Sequence, residues 1–291
     1  MIPMFYETIK EEKRSIALRP ACRALGVSRS GYLDWEKRKP RQTSAEDQKI
    51  LSHMQSIAEE FGYYGYRRIT KALRRQGVVV NHKRVLRMMR ENSLTIKMKK
   101  FKPRTTDSSH SLPSFPNLAK GLVVDHINQL WVADITYVPL DDIFLYLALL
   151  MDVFSRKIVG WQLGRNIDTE LCLDALKRAF ASRRGMDLGG LIHHSDHGSQ
   201  YLSKEYISQL KNRGIQSSTG ETGVAYDNAF AEAVNKLVKY DEVYRSKYES
   251  FEDAYLGIKK YVGVYNKKRL HSGIGYLPPD EFEKALKNSL I

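Results

Sequence analysis

Apolar residues recur along this chain with two different periods, and the change of period divides it. Ala17, Ala21, Ala24 and Leu25 fall at helical spacing. Gly26 then supplies a turn and Ser28 an N-cap for a second short helix, so the stretch ending at Arg38 has the plan of a helix-turn-helix. Residues 66–91 repeat that plan, with Ile69 and Leu73, a turn at Gly77, and Asn81 capping a helix whose Val85, Leu86 and Met89 face inward. Its outer face is left to His82, Lys83, Arg84, Arg87 and Arg90. Over 97–121 the periodicity stops, and Pro103, Pro113 and Pro116 stand among Ser, Thr and Lys residues, which predicts a linker. Three apolar runs follow, at 131–138, 143–151 and 157–164, joined by short turns; they predict an antiparallel meander. A helix opening at Asp168 or Thr169, a strand at 191–194, a helix at 203–212, a strand at 215–218 and a helix at 228–240 complete the pattern.

Charge sharpens this division. The 291 residues carry Lys+Arg 47 against Asp+Glu 33, a net +14. Residues 1–120 hold 26 basic and 11 acidic side chains, whereas the remainder holds 21 and 22. A basic first part joined to a neutral second part predicts an electrostatic footprint for a polyanion, with nucleic acid the leading partner. Within the second hairpin, Arg67, Arg68, His82, Lys83, Arg84 and Arg87 are the expected DNA contacts, the later helix entering a groove while flanking cations neutralise phosphates. Two cysteines, Cys22 and Cys172, provide neither a disulfide framework nor a cysteine-rich zinc module. The longest apolar run is nine residues and the N-terminus has no signal-peptide pattern, so a cytoplasmic protein with no membrane partner is expected.

Three carboxylates stand out in the second part. Asp134 lies in the middle of the apolar run WVADITYV, where a charge is costly unless a cation compensates it. Asp196 follows the next short strand in HHSDHGSQY. Glu232 lies on a helix where Asn228, Glu232, Asn235 and Lys239 form one polar stripe opposite Phe230, Val234, Leu237 and Val238. Three strands followed by alternating helices and strands is the element order of a ribonuclease-H-like fold, a mixed α/β class. Its sheet would bring the three carboxylates together. An all-oxygen set suits Mg²⁺ or Mn²⁺. His193, His194 and His197 flank Asp196, but without cysteine partners they are expected to pack or support rather than to bind metal. Asp152 is expected to cap a turn, and the aromatics of FGYYGY at 61–66 to pack against the hairpin helices.

The segments WVADITYVPL, DVFSRKIVGW, HSDHGSQY, YDNAFAEAVNKLVK and YNKKRLHSGIGYLPPDEF closely resemble the integrase-like core of insertion-sequence transposases, in particular the OrfB component of the insertion-sequence-three family, relatives of retroviral integrases. The resemblance implies a ribonuclease-H-like integrase core with a mixed five-stranded sheet at 122–291, ending in a helical tail. Ahead of it come the basic linker at 97–121 and a helical DNA-binding region at 1–96. It also implies a DNA transposase whose catalytic, metal-binding carboxylates are Asp134, Asp196 and Glu232, the last two separated by 35 residues. Two divalent ions are expected, with Asp134 bridging them, to clamp the attacking and leaving oxygens of a phosphodiester displacement. Lys239 would hold a DNA phosphate, and Asn228, one turn before Glu232, would support that carboxylate. Double-stranded DNA, an OrfA partner or fusion, and a homo-oligomer on DNA are the implied partners, with nucleoid association when DNA is bound. Many relatives have Gly-Asn and, after the Glu, Ser where this chain has Gly223-Val224 and Ala233, so it departs at Val224 and Ala233, and no zipper-length heptad run is visible. A host regulator without mobility, or a nuclease that does not rejoin DNA, are the alternative readings.

Overall fold

The computed structural model describes residues 2–12, 17–37, 44–96, 115–196, 198–220 and 229–289. Asn228, His197 and the Pro-rich stretch up to residue 114 lie outside them. Contacts divide the chain into two compact units, 1–54 and 55–291.

In the first unit, α1 (Ile2–Glu12), α2 (Leu18–Ala24) and α3 (Arg29–Lys37) precede the beginning of α4 (Ala45–Glu60). Their apolar spacing closes a small core of Ile9, Cys22 and Tyr32, lined by Tyr6, Leu18, Leu25 and Trp35. Gly26 turns the chain at φ +63°, the left-handed conformation that glycine adopts without steric cost. Ser28 Oγ accepts a hydrogen bond from the Gly31 amide at 3.3 Å, so the expected helix-turn-helix is present with its cap.

The second unit opens with the hairpin α5 (Tyr66–Arg75) and α6 (His82–Glu91). Gly77 turns it at φ +81°, and the Asn81 side chain accepts from the Lys83 amide at 2.8 Å, the cap its position predicts. Val85 and Met89 are buried as the periodicity requires. The sheet follows: β1 (Leu130–Leu140), β2 (Ile143–Asp152), β3 (Ile158–Gly164), β4 (Ile192–Ser195) and β5 (Gln216–Thr219), ordered β3-β2-β1-β4-β5. The first three strands are an antiparallel meander, while β4 lies parallel to both β1 and β5. This mixed five-stranded sheet is the one expected.

Side-chain alternation gives the sheet two apolar faces. Trp131, Ala133, Ala148, Leu150 and Val159 pack under α7 (Thr169–Ser182) and α8 (Lys204–Lys211). Gly160 permits the closest approach, since a Cβ there would stand 2.2 Å from the Ala175 carbonyl of α7. Leu130, Val132, Leu147 and Leu149 face α9 (Ala229–Val238) and α10 (Phe251–Lys268). The predicted helix at 228–240 is interrupted: α9 passes at Lys239–Val243 into a π-helical turn, closed by the Tyr244 amide on the Lys239 carbonyl at 2.8 Å. The chain ends in α11 (Pro279–Ser289). No helix among the described residues is long and apolar enough to cross a membrane.

The division after Met54 differs from a boundary near residue 96, and long-range pairing explains the difference. Tyr64 Oη accepts from the Leu270 amide at 2.7 Å, and Arg68 Nε donates to the Leu270 carbonyl at 3.1 Å. Arg75 makes a two-point bond to Glu281 of α11 at 2.6 and 3.2 Å, and Lys268 pairs with Glu60. The hairpin is thus fastened to the C-terminal tail of the sheet-bearing unit. The end of the expected linker is also attached, for Phe115 and Leu118 donate their amides to Thr219 and Ser218 of β5 at 3.1 and 2.9 Å.

Candidate active site

Asp134 takes its position from strand parity. It follows Ala133, which pairs with Ser195 across the parallel β1–β4 register, so Asp134 and Asp196 come next on adjacent strands. With Leu130 and Val132 it faces the α9 side of the sheet. Its Oδ1 accepts from the Ile135 amide at 2.8 Å and its Oδ2 from Asn235 Nδ2 at 2.7 Å. Burial, and then the Asp196 charge, push the Asp134 carboxyl up to about 7, against the opposing pull of these hydrogen bonds and of the Lys239 ammonium. Lys239 itself is half-buried, and desolvation draws its pKa down while Asp134 raises it. Asp196 is exposed where the chain leaves β4 and accepts from the Gly198 amide at 3.0 Å.

The structure therefore gathers Asp134, Asp196, Asn235 and Lys239. Glu232 stands farther out on α9, partly exposed and paired with Lys236 at 3.4 Å. Among the described residues no three His, Cys, Asp or Glu side chains are grouped closely enough to share a metal ion. Asn228, the expected support, is outside the described residues. Asn235 supports Asp134. The signal was available, because Asn235 belongs to the same polar stripe. Its Oδ1 is buried without a partner, which leaves an oxygen donor beside a carboxylate that burial and a neighbouring negative charge both disfavour as an anion. The chemistry of this donor set fits a hard divalent cation at Asp134 and Asp196.

Neighbouring groups hold the site without entering it. His193 is buried against the Tyr206 hydroxyl at 2.8 Å, and burial lowers its pKa to about 3, so it stays neutral. His194 meets the Ser218 hydroxyl at 2.9 Å. The π-helical turn after α9 points Asp241 inward, where it accepts from Arg269 Nε at 2.6 Å and Tyr261 Oη at 3.3 Å. His271, of the RLH segment, stacks edge-on with Tyr265 beside Arg269, and burial and that guanidinium lower its pKa to about 2. Asp152 is fully buried and accepts from the Asn128 and Ser155 amides at 2.7 and 2.9 Å, the turn-capping role its position suggested.

The expected DNA contacts are placed unequally. Arg67, His82 and Lys83 are exposed. Arg68 is turned into its bond with Leu270, Arg84 is half-buried, and Arg87 pairs with Glu91 at 2.6 Å.

A parallel β4 joined to an antiparallel meander, with a carboxylate on the central strand, is the mixed sheet of a ribonuclease-H-like fold. Residues 125–224 and 213–279 match the family described as Integrase core domain, and 45–102 match the HTH-like domain. The chain is 35% identical over 277 residues to the transposase for insertion sequence element IS629 of Shigella sonnei, covering 93% of each chain. It is 32% identical over 288 residues to the transposase InsF for insertion sequence IS3A of Escherichia coli K12, covering 96% of this chain and 98% of that one. The HTLV-2 integrase catalytic core domain, solved in complex with magnesium, aligns with 53% of this chain and 95% of its own at 17% identity and a TM-score of 0.40. The chain belongs to the insertion-sequence-three family of transposases, DDE-type polynucleotidyl transferases built on an integrase core.

Proposed function

We propose that this transposase cleaves and joins DNA strands at a site made by Asp134, Asp196 and Glu232, with divalent metal as cofactor. The observation that carries the reading is Asp134 itself: a carboxylate set into the central strand, oriented by two hydrogen bonds, and raised in pKa by burial and by Asp196. Asp134 and Asp196, with Glu232 completing the set, would hold Mg²⁺ or Mn²⁺, which would supply positive charge to offset the negative charge that develops in an in-line phosphodiester displacement.

The protein's own groups do the rest. The Ile135 amide and Asn235 fix the plane of the Asp134 carboxylate. Lys239 places an ammonium near Asp134, a further positive charge for a DNA phosphate. In cleavage the attacking oxygen is that of water and the leaving group is a DNA 3′-oxygen. In joining, the freed 3′-hydroxyl attacks a target phosphodiester and the displaced strand takes up the proton. The exposed cations of the α5–α6 hairpin bind duplex DNA. An OrfA partner or fusion, a homo-oligomer assembled on DNA and a place on the bacterial nucleoid complete the proposal.

The test uses the purified chain, Mg²⁺, a duplex carrying a pre-cut element end and a supercoiled plasmid. A joined product is expected. Cut plasmid without joining would reassign the protein as a nuclease of the same fold.

A further inference from the structure

A cavity of about 350 Å³ lies in the second unit, between the α5–α6 hairpin and the loop that precedes α11. Tyr66, Arg67, Lys71, Arg74, His82 and Tyr276 are among the residues that frame it. Arg67, Lys71 and Arg74 are exposed, and none has a carboxylate partner among the described residues. Their neighbour Arg75, by contrast, is neutralised by Glu281 at 2.6 Å. No acidic side chain lines the cavity.

The wall supplied by the C-terminal loop is built with some strain. Tyr276 has φ +61° directly after Gly275 at φ +69°, and its amide is held by the His271 carbonyl at 2.7 Å. A tyrosine in the left-handed region is strained and is kept there only by its surroundings. That conformation carries its ring under Lys71, whose ammonium stands 5.1 Å from the ring centre. Tyr66 does the same for Arg67, with the guanidinium 5.7 Å above its ring and Nε on its hydroxyl at 3.2 Å. The cations are thus fixed around an open volume instead of trailing in solvent.

We propose that this pocket holds a phosphodiester of duplex DNA, gripped jointly by the hairpin and by the C-terminal loop of the catalytic unit. The inference rests on the reading that the chain binds DNA, and it names where one backbone contact is made. It adds Lys71, Arg74 and Tyr276 to the contact set and leaves Arg68, committed to Leu270, outside it. Because hairpin and loop belong to one compact unit, a phosphate seated here is held in a fixed relation to the carboxylate site.

The experiment measures the affinity of the full chain for a short fluorescein-labelled duplex across a salt series. Lys71→Gln and Arg74→Gln together are expected to weaken binding roughly tenfold at physiological salt and to reduce the slope of log K against log salt by about 1. Lys284→Gln and Lys287→Gln together, an equal loss of charge at exposed positions of α11, should leave the slope within error. Tyr276→Asn, a residue that tolerates the left-handed conformation, should lower affinity while thermal stability is retained. An unchanged slope in the double variant, with the unaltered chain binding well, overturns the pocket alone. No duplex binding by the unaltered chain overturns the DNA-binding reading and the pocket with it. Binding of ATP by the unaltered chain that is lost in the double variant, with duplex affinity intact, would overturn the proposal in favour of a free nucleotide.

Discussion

Asp134 sets the electrostatics of the site, and its protonation is linked to stability. Its unfolded value is near 3.8 and its folded value about 7, so the folded state binds the proton more tightly. The resulting stabilisation is complete below pH 3.8 and is lost as pH rises through 7. Without divalent metal, wild-type stability at pH 8 should therefore fall below that of Asp134→Asn by on the order of 2–4 kcal/mol, and the gap should narrow clearly at pH 5. Urea unfolding of both proteins at the two pH values checks this, and parallel profiles would count against it. Adding Mg²⁺ at pH 8 should raise the melting temperature of the wild type and not of the Asn variant. Asn235 is the second residue-scale test. Asn235→Ala should lower joining activity about 10–100-fold, as expected when the partner that orients a metal-binding carboxylate is removed. Duplex affinity, measured in parallel, should not change.

At the scale of elements, much was legible because the signals are local. Asn81 and Ser28 cap the helices they precede, Gly26 and Gly77 make the turns between paired helices, and apolar runs of strand length separated by short turns became the β1–β3 meander. The π-helical turn was not legible. Its cause is tertiary: Asp241 is drawn inward to Arg269, which lies 28 residues away. On α9, before that turn, Asn235 is buried against Asp134 while Glu232 stands partly exposed with Lys236. Arg269 is fully buried, so Arg269→Ala should cost about 3–5 kcal/mol by stranding Asp241. Arg269→Met combined with Asp241→Leu should cost clearly less than the single change, because it removes both charges. Urea titrations of the three proteins decide the matter, and equal losses would contradict the ion-pair account. A second buried pair, Arg183 with Glu283 at 2.6 and 2.7 Å, fastens α11 to the end of α7 in the same manner.

For the whole molecule, charge and motif told different parts of the story. The excess of basic residues before residue 120 pointed to a polyanion, and the five motif segments pointed to an integrase core; both were readable in linear order. The way the two parts are joined was not. Contacts such as Tyr64 with Leu270 and Arg75 with Glu281 span 206 residues, and no local period announces them. They place the second hairpin with the catalytic unit, so the basic charge at 66–91 and the carboxylates belong to one body instead of being strung across a linker. Loss of the Arg75–Glu281 pair through Glu281→Gln should change stability by no more than about 1 kcal/mol, since both partners are substantially exposed. A larger loss by chemical denaturation would mean that this contact, and not the buried Tyr64–Leu270 bond, holds the hairpin in place.

The central claim, that Asp134, Asp196 and Glu232 form the metal-dependent site of strand transfer, is tested most directly by single-carboxylate variants in the joining assay. Asp134→Asn, Asp196→Asn and Glu232→Gln, each verified to bind duplex DNA as tightly as the unaltered chain, should yield no joined product with Mg²⁺. Full joining by any one of them would contradict the assignment of that carboxylate.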